Sequence, residues 1–250
     1  MGLLASILSK VLPLSAEGQS RVLFVQGSYA AAKTNDHNGR HWANADHLSA
    51  DAAGSEAGRA TLRNRSRYEF ENNPYARGIA QTMANYVIGQ GPRLQVQPGD
   101  ANVDRLVEQR FRAWAQQIRL SQKLRTARIS QVISGDVFLQ MIRNPRLEKL
   151  GLPGLDINLI EADQVSTPWP DSEKPEIIDG VKIDKAGNPV DYLVLETHPG
   201  NTRNPRIDKW IPVPAEYVLH LFRAERPGQH RGIPELAPAL GTFAQLRRYT

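Results

Sequence analysis

Three groups of residues in this 250-residue chain have types and spacing that could do chemistry. His37, His41 and His47 lie close together with Asp36 and Asp46 beside them. Imidazoles four residues apart on a helix can ligate zinc, but Asn38 and Gly39 separate the first two, so the stretch reads as a polar loop. Asp156, Glu161 and Asp163 could form a carboxylate cluster for a metal ion. Strand alternation puts Glu161 and Asp163 on one side, but no fourth ligand accompanies them, and a solvated strand edge is the better reading. Gly89-Gln90-Gly91-Pro92-Arg93 resembles half of a dinucleotide loop. It follows a helical pattern, and proline stands where an amide should face phosphate. No Walker lysine motif or nucleophile elbow occurs. The chain has no cysteine, which excludes thiolate catalysis, disulfides and cysteine-ligated metals. No catalytic, cofactor-binding or metal residue is therefore expected.

The elements that carry these residues follow from periodicity and punctuation. Residues 1–58 are poor in large apolar side chains after Ser28 and read as a poorly ordered N-terminal arm that would order on a neighbouring subunit. The body, residues 59–250, begins helical over 73–135. Asn73 caps a helix that Pro74 starts and Gly89 stops, with Ile79, Met83, Tyr86 and Val87 as its apolar stripe. A second helix from about Asp104 buries Val107, Phe111, Trp114 and Ile118, and a third covers Ser121 to Ile133, ending at Gly135. The β-rich block, 136–222, holds strands at 137–142, 156–160, 177–183, 190–196 and 217–222. Turns are expected at Asn144-Pro145, Pro153-Gly154 and Gly187-Asn188-Pro189. A closing helix over 234–250 starts at Pro234 and carries Leu236, Leu240 and Phe243. The fold class is α+β. No apolar run approaches the roughly 20 residues of a membrane helix.

The net charge of +5 is unevenly distributed. Arg105 to Arg128 contains seven basic residues and one acid; Asp156 to Glu196 contains ten acids and three lysines. Arg105, Arg112 and Arg119 recur every seven residues, forming a ridge opposite the buried stripe. That ridge would pair with the acidic block of an adjacent copy or touch DNA phosphates. The first is favoured, because the nearby aromatics Phe111 and Trp114 belong to the core stripe.

Two arginine-flanked segments complete the pattern, one from Arg59 to Gln95 and one from Val218 to Tyr249. Their order and spacing resemble the portal proteins of tailed bacteriophages, lambda-type family, over most of the chain from about Tyr29. The matching positions are Asn73, Pro74, Ala76, Gly89 and Gly91 in the first segment, and Gly228, Gln229, Arg231, Gly232 and Pro234 in the second. All are caps, turns and backbone positions; they mark the family without forming an active site.

The resemblance implies the outer, wing-like part of a portal subunit. Such proteins form a homo-oligomeric ring, typically of twelve subunits, at one vertex of the capsid. Terminase packages double-stranded DNA through the channel, head-completion proteins dock afterwards, and no membrane is involved. The protein would sit in the virion, and in the bacterial cytoplasm during assembly. Lambda-type portals continue beyond Thr250, so the chain reads as an N-terminal part, truncated at its C-terminus. The alternative is a basic nucleic-acid-binding domain acting without a ring; a hydrolase has only the scattered carboxylates behind it. Purified protein is accordingly expected to show no ATPase, nuclease or protease activity. Turnover in a homogeneous preparation that one point substitution abolishes would overturn this.

Overall fold

The computed structural model describes residues 35–36, 38–97, 99–168, 171, 174–202 and 209–249. It divides into two units, residues 1–47 and 48–250. In the first, Asn35 and Asn38 exchange amide-to-side-chain hydrogen bonds at 2.8 and 3.0 Å, and turns run on to residue 44.

The second unit opens inside the segment expected as an arm. Helices α1 (Ala50–Ala53) and α2 (Glu56–Asn72) are capped by Ser49 and Ser55. Helix α2 escapes a periodicity reading because its buried face is polar: Arg59, Arg63, Ser66 and Glu69. Helix α3 (Pro74–Ile88) has the expected bounds, with Asn73 Oδ1 accepting from the N–H groups of Tyr75 and Ala76. Its buried face is not the expected one. Ala76, Ala80 and Ala84 are fully enclosed, whereas Ile79, Tyr86 and Val87 are exposed. Small side chains let α3 approach α5 (Leu120–Ser134) closely, turning the larger stripe outward.

Helix α4 (Ala101–Gln117) starts earlier than expected, at the cap of Asp100. Phe111 and Trp114 pack inward with buried Ile118, but Val107 is exposed. Arg119 is not on this helix. It is the joint to α5, with φ 54° and ψ 46°, so the seven-residue ridge stops at Arg112.

Strand β1 (Asp136–Arg143) lies between β2 (Leu155–Glu161) and β7 (Val218–Phe222), all antiparallel. Val137 and Leu139 face Ala127 of α5; Phe138 faces the other way, towards a second sheet. That sheet runs β3 (Ile177–Ile178), β4 (Val181–Ile183), β5 (Pro189–Leu195), β6 (Trp210–Pro214). Phe138, Ile160, Val181, Tyr192, Val194 and Val213 fill the space between the sheets.

Three local expectations are corrected. The single strand over 177–183 is a hairpin turning at Asp179-Gly180, both with positive φ, as such a tight turn requires. Asn144-Pro145 starts a short helix, α6 (Pro145–Lys149), by the same capping as Asn73-Pro74. The closing helix is shorter than 234–250. Pro234 precedes a turn, Pro238 sits in a 3-10 turn, and α7 covers only Leu240–Leu246. Leu236 and Phe243 still reach the core beside Ala76, Ala80 and Val132, so the two family-like segments meet directly.

The joint between α5 and β1 leaves no room for side chains. A Cβ on Gly232 would lie 2.0 Å from the carbonyl oxygen of Gly135, and one on Gly135 would lie 2.7 Å from Gly232 backbone. Gly232→Val is therefore expected to cost about 3 kcal/mol or more, since backbone cannot step aside. Gly89 has φ 53° and ψ −123° but open space around it, so Gly89→Val should cost about 1–3 kcal/mol. Urea denaturation of both variants checks the order; Gly232→Val as stable as the parent would refute the backbone contact.

Candidate functional site

The second family-like segment enters the interior through Arg231, whose side chain is completely buried. Its loop is held from within. Gln229 Oε1 accepts the N–H groups of Glu225 (2.9 Å) and Arg226 (3.3 Å), and its Nε2 donates to the Arg231 carbonyl at 2.8 Å. Gly228, at φ 73°, makes the turn. His230 is anchored on Asp51 of α1 by its backbone N–H (2.9 Å) and by its ring (2.7 Å).

Every face of the guanidinium is used. Nε donates to Asp136 Oδ2 at 2.6 Å, Nη1 to the carbonyls of Val165 (3.0 Å) and Asp179, and Nη2 to the Ala162 carbonyl at 3.1 Å. The group lies over the Phe138 ring, 5.1 Å from its centre. Asp136 also accepts the Gly232 N–H at 3.2 Å and lies 3.4 Å from His220 Nε2. The Asp179 carboxylate bridges Arg231 (3.2 Å) and Arg59 of α2 (2.5 Å).

Burial alone would push the Asp136 carboxyl up, but the Arg231 charge and hydrogen bonds from His220 and Arg231 hold it well below the carboxylate range. Burial pushes the stacked His220 ring below its ordinary value, with the Asp136 hydrogen bond opposing. An arginine with no exposed surface and with saturated donors meets no substrate. This network is structural.

Beside it, Arg63 donates to Asp163 at 3.1 Å, and Arg67 pairs with Asp163 at 2.6 Å and Glu161 at 3.1 Å. Glu161, Asp163 and His198 bring ligand atoms within 4.8 Å of one another. Two guanidiniums already occupy the carboxylates, so a cation there would face them directly. Asp156 is elsewhere, on Lys123 (2.5 Å) and Asn144 (2.8 Å). The expected solvated strand edge is thus a docking strip for α2. Among the described residues, seven acids of the block are paired within their own chain, four by Arg59, Arg63, Arg67, Lys123 and Arg231 and three by Lys174, Lys182 and Lys209.

His37 lies outside the described residues. His41 and His47 are exposed and belong to no metal-ligating group among the described residues. Asn73 is buried; its Nδ2 donates to Glu69 (3.3 Å) and to the Phe243 carbonyl (3.5 Å). Gly91, at φ 97°, sits against Ser121, whose hydroxyl donates to the Gln90 carbonyl. Buried Pro234 accepts the Ala237 N–H. Arg105 is exposed on α4, while Arg112 and Arg119 turn with Arg93 into a cleft of about 650 Å³ between α4, the start of α5 and the segment after Gly89. Asp136, Asp179 and Arg59 carry the site, yet no sequence reading placed them there. Asp136 following Gly135 at a helix-to-strand junction was the available signal.

Among the described residues no helix is long and apolar enough to cross a membrane. The family model described as phage portal protein, lambda family, matches residues 37–250. A probable portal protein of Halomonas phage phiHAP-1 is 27% identical over 195 residues, covering 69% of this chain and 36% of that protein. The chain spans about a third of that curated relative's length.

The depressed Asp136 and His220 each contribute stability that is lost as pH falls. His220 binds its proton less readily folded than unfolded, so its contribution is complete above about 6.5 and drains below it. The Asp136 contribution is complete above about 3.8 and drains below that. Urea denaturation at descending pH should show two successive losses, with His220→Gln removing the upper one. Asp136→Asn should cost about 3–5 kcal/mol at neutral pH by leaving the buried Arg231 with only the Asp179 carboxylate, which it shares with Arg59. A cost below about 1 kcal/mol would show that the pair does not hold the interior together.

Proposed function

As the chain belongs to the lambda family of phage portal proteins, we propose that it acts as a subunit of the portal ring at one capsid vertex, through which DNA is packaged and ejected. Membership of that family makes it a structural protein of the phage head. Capsid protein, terminase, head-completion proteins and the double-stranded DNA in the channel are the partners this reading assigns, in the virion and in the host cytoplasm during assembly.

The observation that carries the reading is the outward stripe of α3. Tyr86 is 87% exposed, Tyr75 and Ile79 continue its helix face, and Val87, 65% exposed, lies a quarter-turn round at the last turn. Water-exposed apolar residues in a row are the mark of a surface that another protein covers. A ring requires each subunit to offer two different faces, so the occupant is a second copy presenting another surface. Val103, Leu106 and Val107 of α4 are a second exposed apolar group of the required kind.

The other reading is a basic DNA-binding domain, for which the exposed Arg105, with Arg112 and Arg119, is the contact. Sedimentation and negative-stain imaging over a range of protein concentrations decide between them. Closed rings are expected, and Tyr86→Asp with Val87→Lys should abolish them while changing the melting of the subunit little, by about 0.5 kcal/mol or less. Protein that stays monomeric at every concentration and binds duplex DNA with a steep salt dependence would replace the ring by the DNA-binding domain.

A further inference from the structure

We infer that the cleft lined by Arg93, Arg112 and Arg119 is a docking site for an acidic peptide segment anchored by an apolar side chain. The cleft encloses about 650 Å³, and Glu108 is the single carboxylate on its wall against three guanidiniums. That carboxylate is already engaged, accepting the N–H of Val96 at 3.1 Å. Arg112 and Arg119 make no ion pair among the described residues, and Arg93 has only the neutral Gln90 side chain, at 3.2 Å. Elsewhere the buried and half-buried arginines Arg59, Arg63, Arg67, Arg128 and Arg231 meet carboxylates, while Arg110, Arg125 and Arg226 at the surface reach only backbone carbonyls. What distinguishes Arg93, Arg112 and Arg119 is that three arginines without an acidic partner line the same recess.

Backbone geometry adds a second observation. Arg119 is left-handed, at φ 54° and ψ 46°, in a position where glycine or asparagine would be relaxed. Flanking Ile118 and Leu120 are both buried, so the chain must turn there. Arg119 lines the cleft, so a long cationic side chain is kept at this strained joint where a glycine would relieve it.

The lining selects the ligand. Leu94 and Phe111 place apolar surface beside the arginines. A carboxylate-bearing peptide with one apolar side chain satisfies both, by charge-assisted hydrogen bonds and by burial. A DNA duplex presents its phosphates on a convex surface and leaves that apolar surface wet.

The test uses the whole chain and a short fluorescein-labelled peptide in which glutamates flank a leucine and a phenylalanine, followed by fluorescence anisotropy. Binding should weaken as salt rises. It should fall about threefold to fivefold in Arg112→Gln and in Arg119→Gly, and about tenfold or more in the double variant. Arg119→Gly keeps the fold, because glycine accepts the left-handed joint, and thermal melting verifies it. Equal binding of a peptide with every glutamate replaced by glutamine overturns the inference. So does unchanged binding in the double variant, or a duplex oligonucleotide that displaces the peptide and is lost through the same substitutions. Rings can form or fail without bearing on any of these outcomes.

Discussion

The pairing of Arg231 with Asp136 is the constraint on which the rest of the unit depends. Both charges are out of water, and a buried ion is tolerated only when matched and hydrogen-bonded. Asp136 opens the central strand of one sheet. Arg231 reaches from the far end of the sequence past it, to the carbonyls of Ala162 and Val165 and the hairpin turn at Asp179. Asp179 then receives Arg59 and with it helix α2. One guanidinium thus fixes the spacing of two sheets and the seat of a helix. Gly135 and Gly232 are the steric counterpart, letting the two backbones pass where the charges must meet.

This interior explains why α2 is a helix at all. Its apolar content is low, and packing of an apolar stripe is what usually stabilises a helix. Here four successive turns present Arg59, Arg63, Arg67 and Phe70 to the protein, and the arginines meet Asp179, Asp163 and Glu161. Arginine suits the role because its planar fork remains charged and reaches several acceptors at once.

Helix α3 was bounded correctly because Asn73, Pro74 and Gly89 act through backbone geometry, which is local. Its buried face was misread because Ile79, Tyr86 and Val87 look like core, whereas the Ala76, Ala80 and Ala84 row also repeats every four residues but alanine carries no burial signal of its own. The hairpin at Asp179-Gly180 was marked by a recognised dipeptide, hidden inside an apolar run. Strand β6 was missed because Pro212 and Pro214 interrupt it; it is an edge strand, where proline is tolerated. The closing helix shrank because Pro238 falls within its expected span. Arg231 stood out in the sequence, but its partners did not: a charge pair spanning 95 positions leaves no periodic trace.

That separation also governs how the protein is made. A ribosome adds residues at about 5–20 per second from the N-terminus, so Asp136 emerges roughly 5–20 seconds before its counter-ion. Until then the central strand cannot be sealed without stranding a carboxylate away from water, and for most of that wait β7, which pairs with it, has not emerged either. Helices α3 and α5 can coil and associate during that wait, but the space between the sheets stays open. Closure falls at the end of translation of this region, when the Gly228 turn delivers Arg231 and the whole unit locks at once.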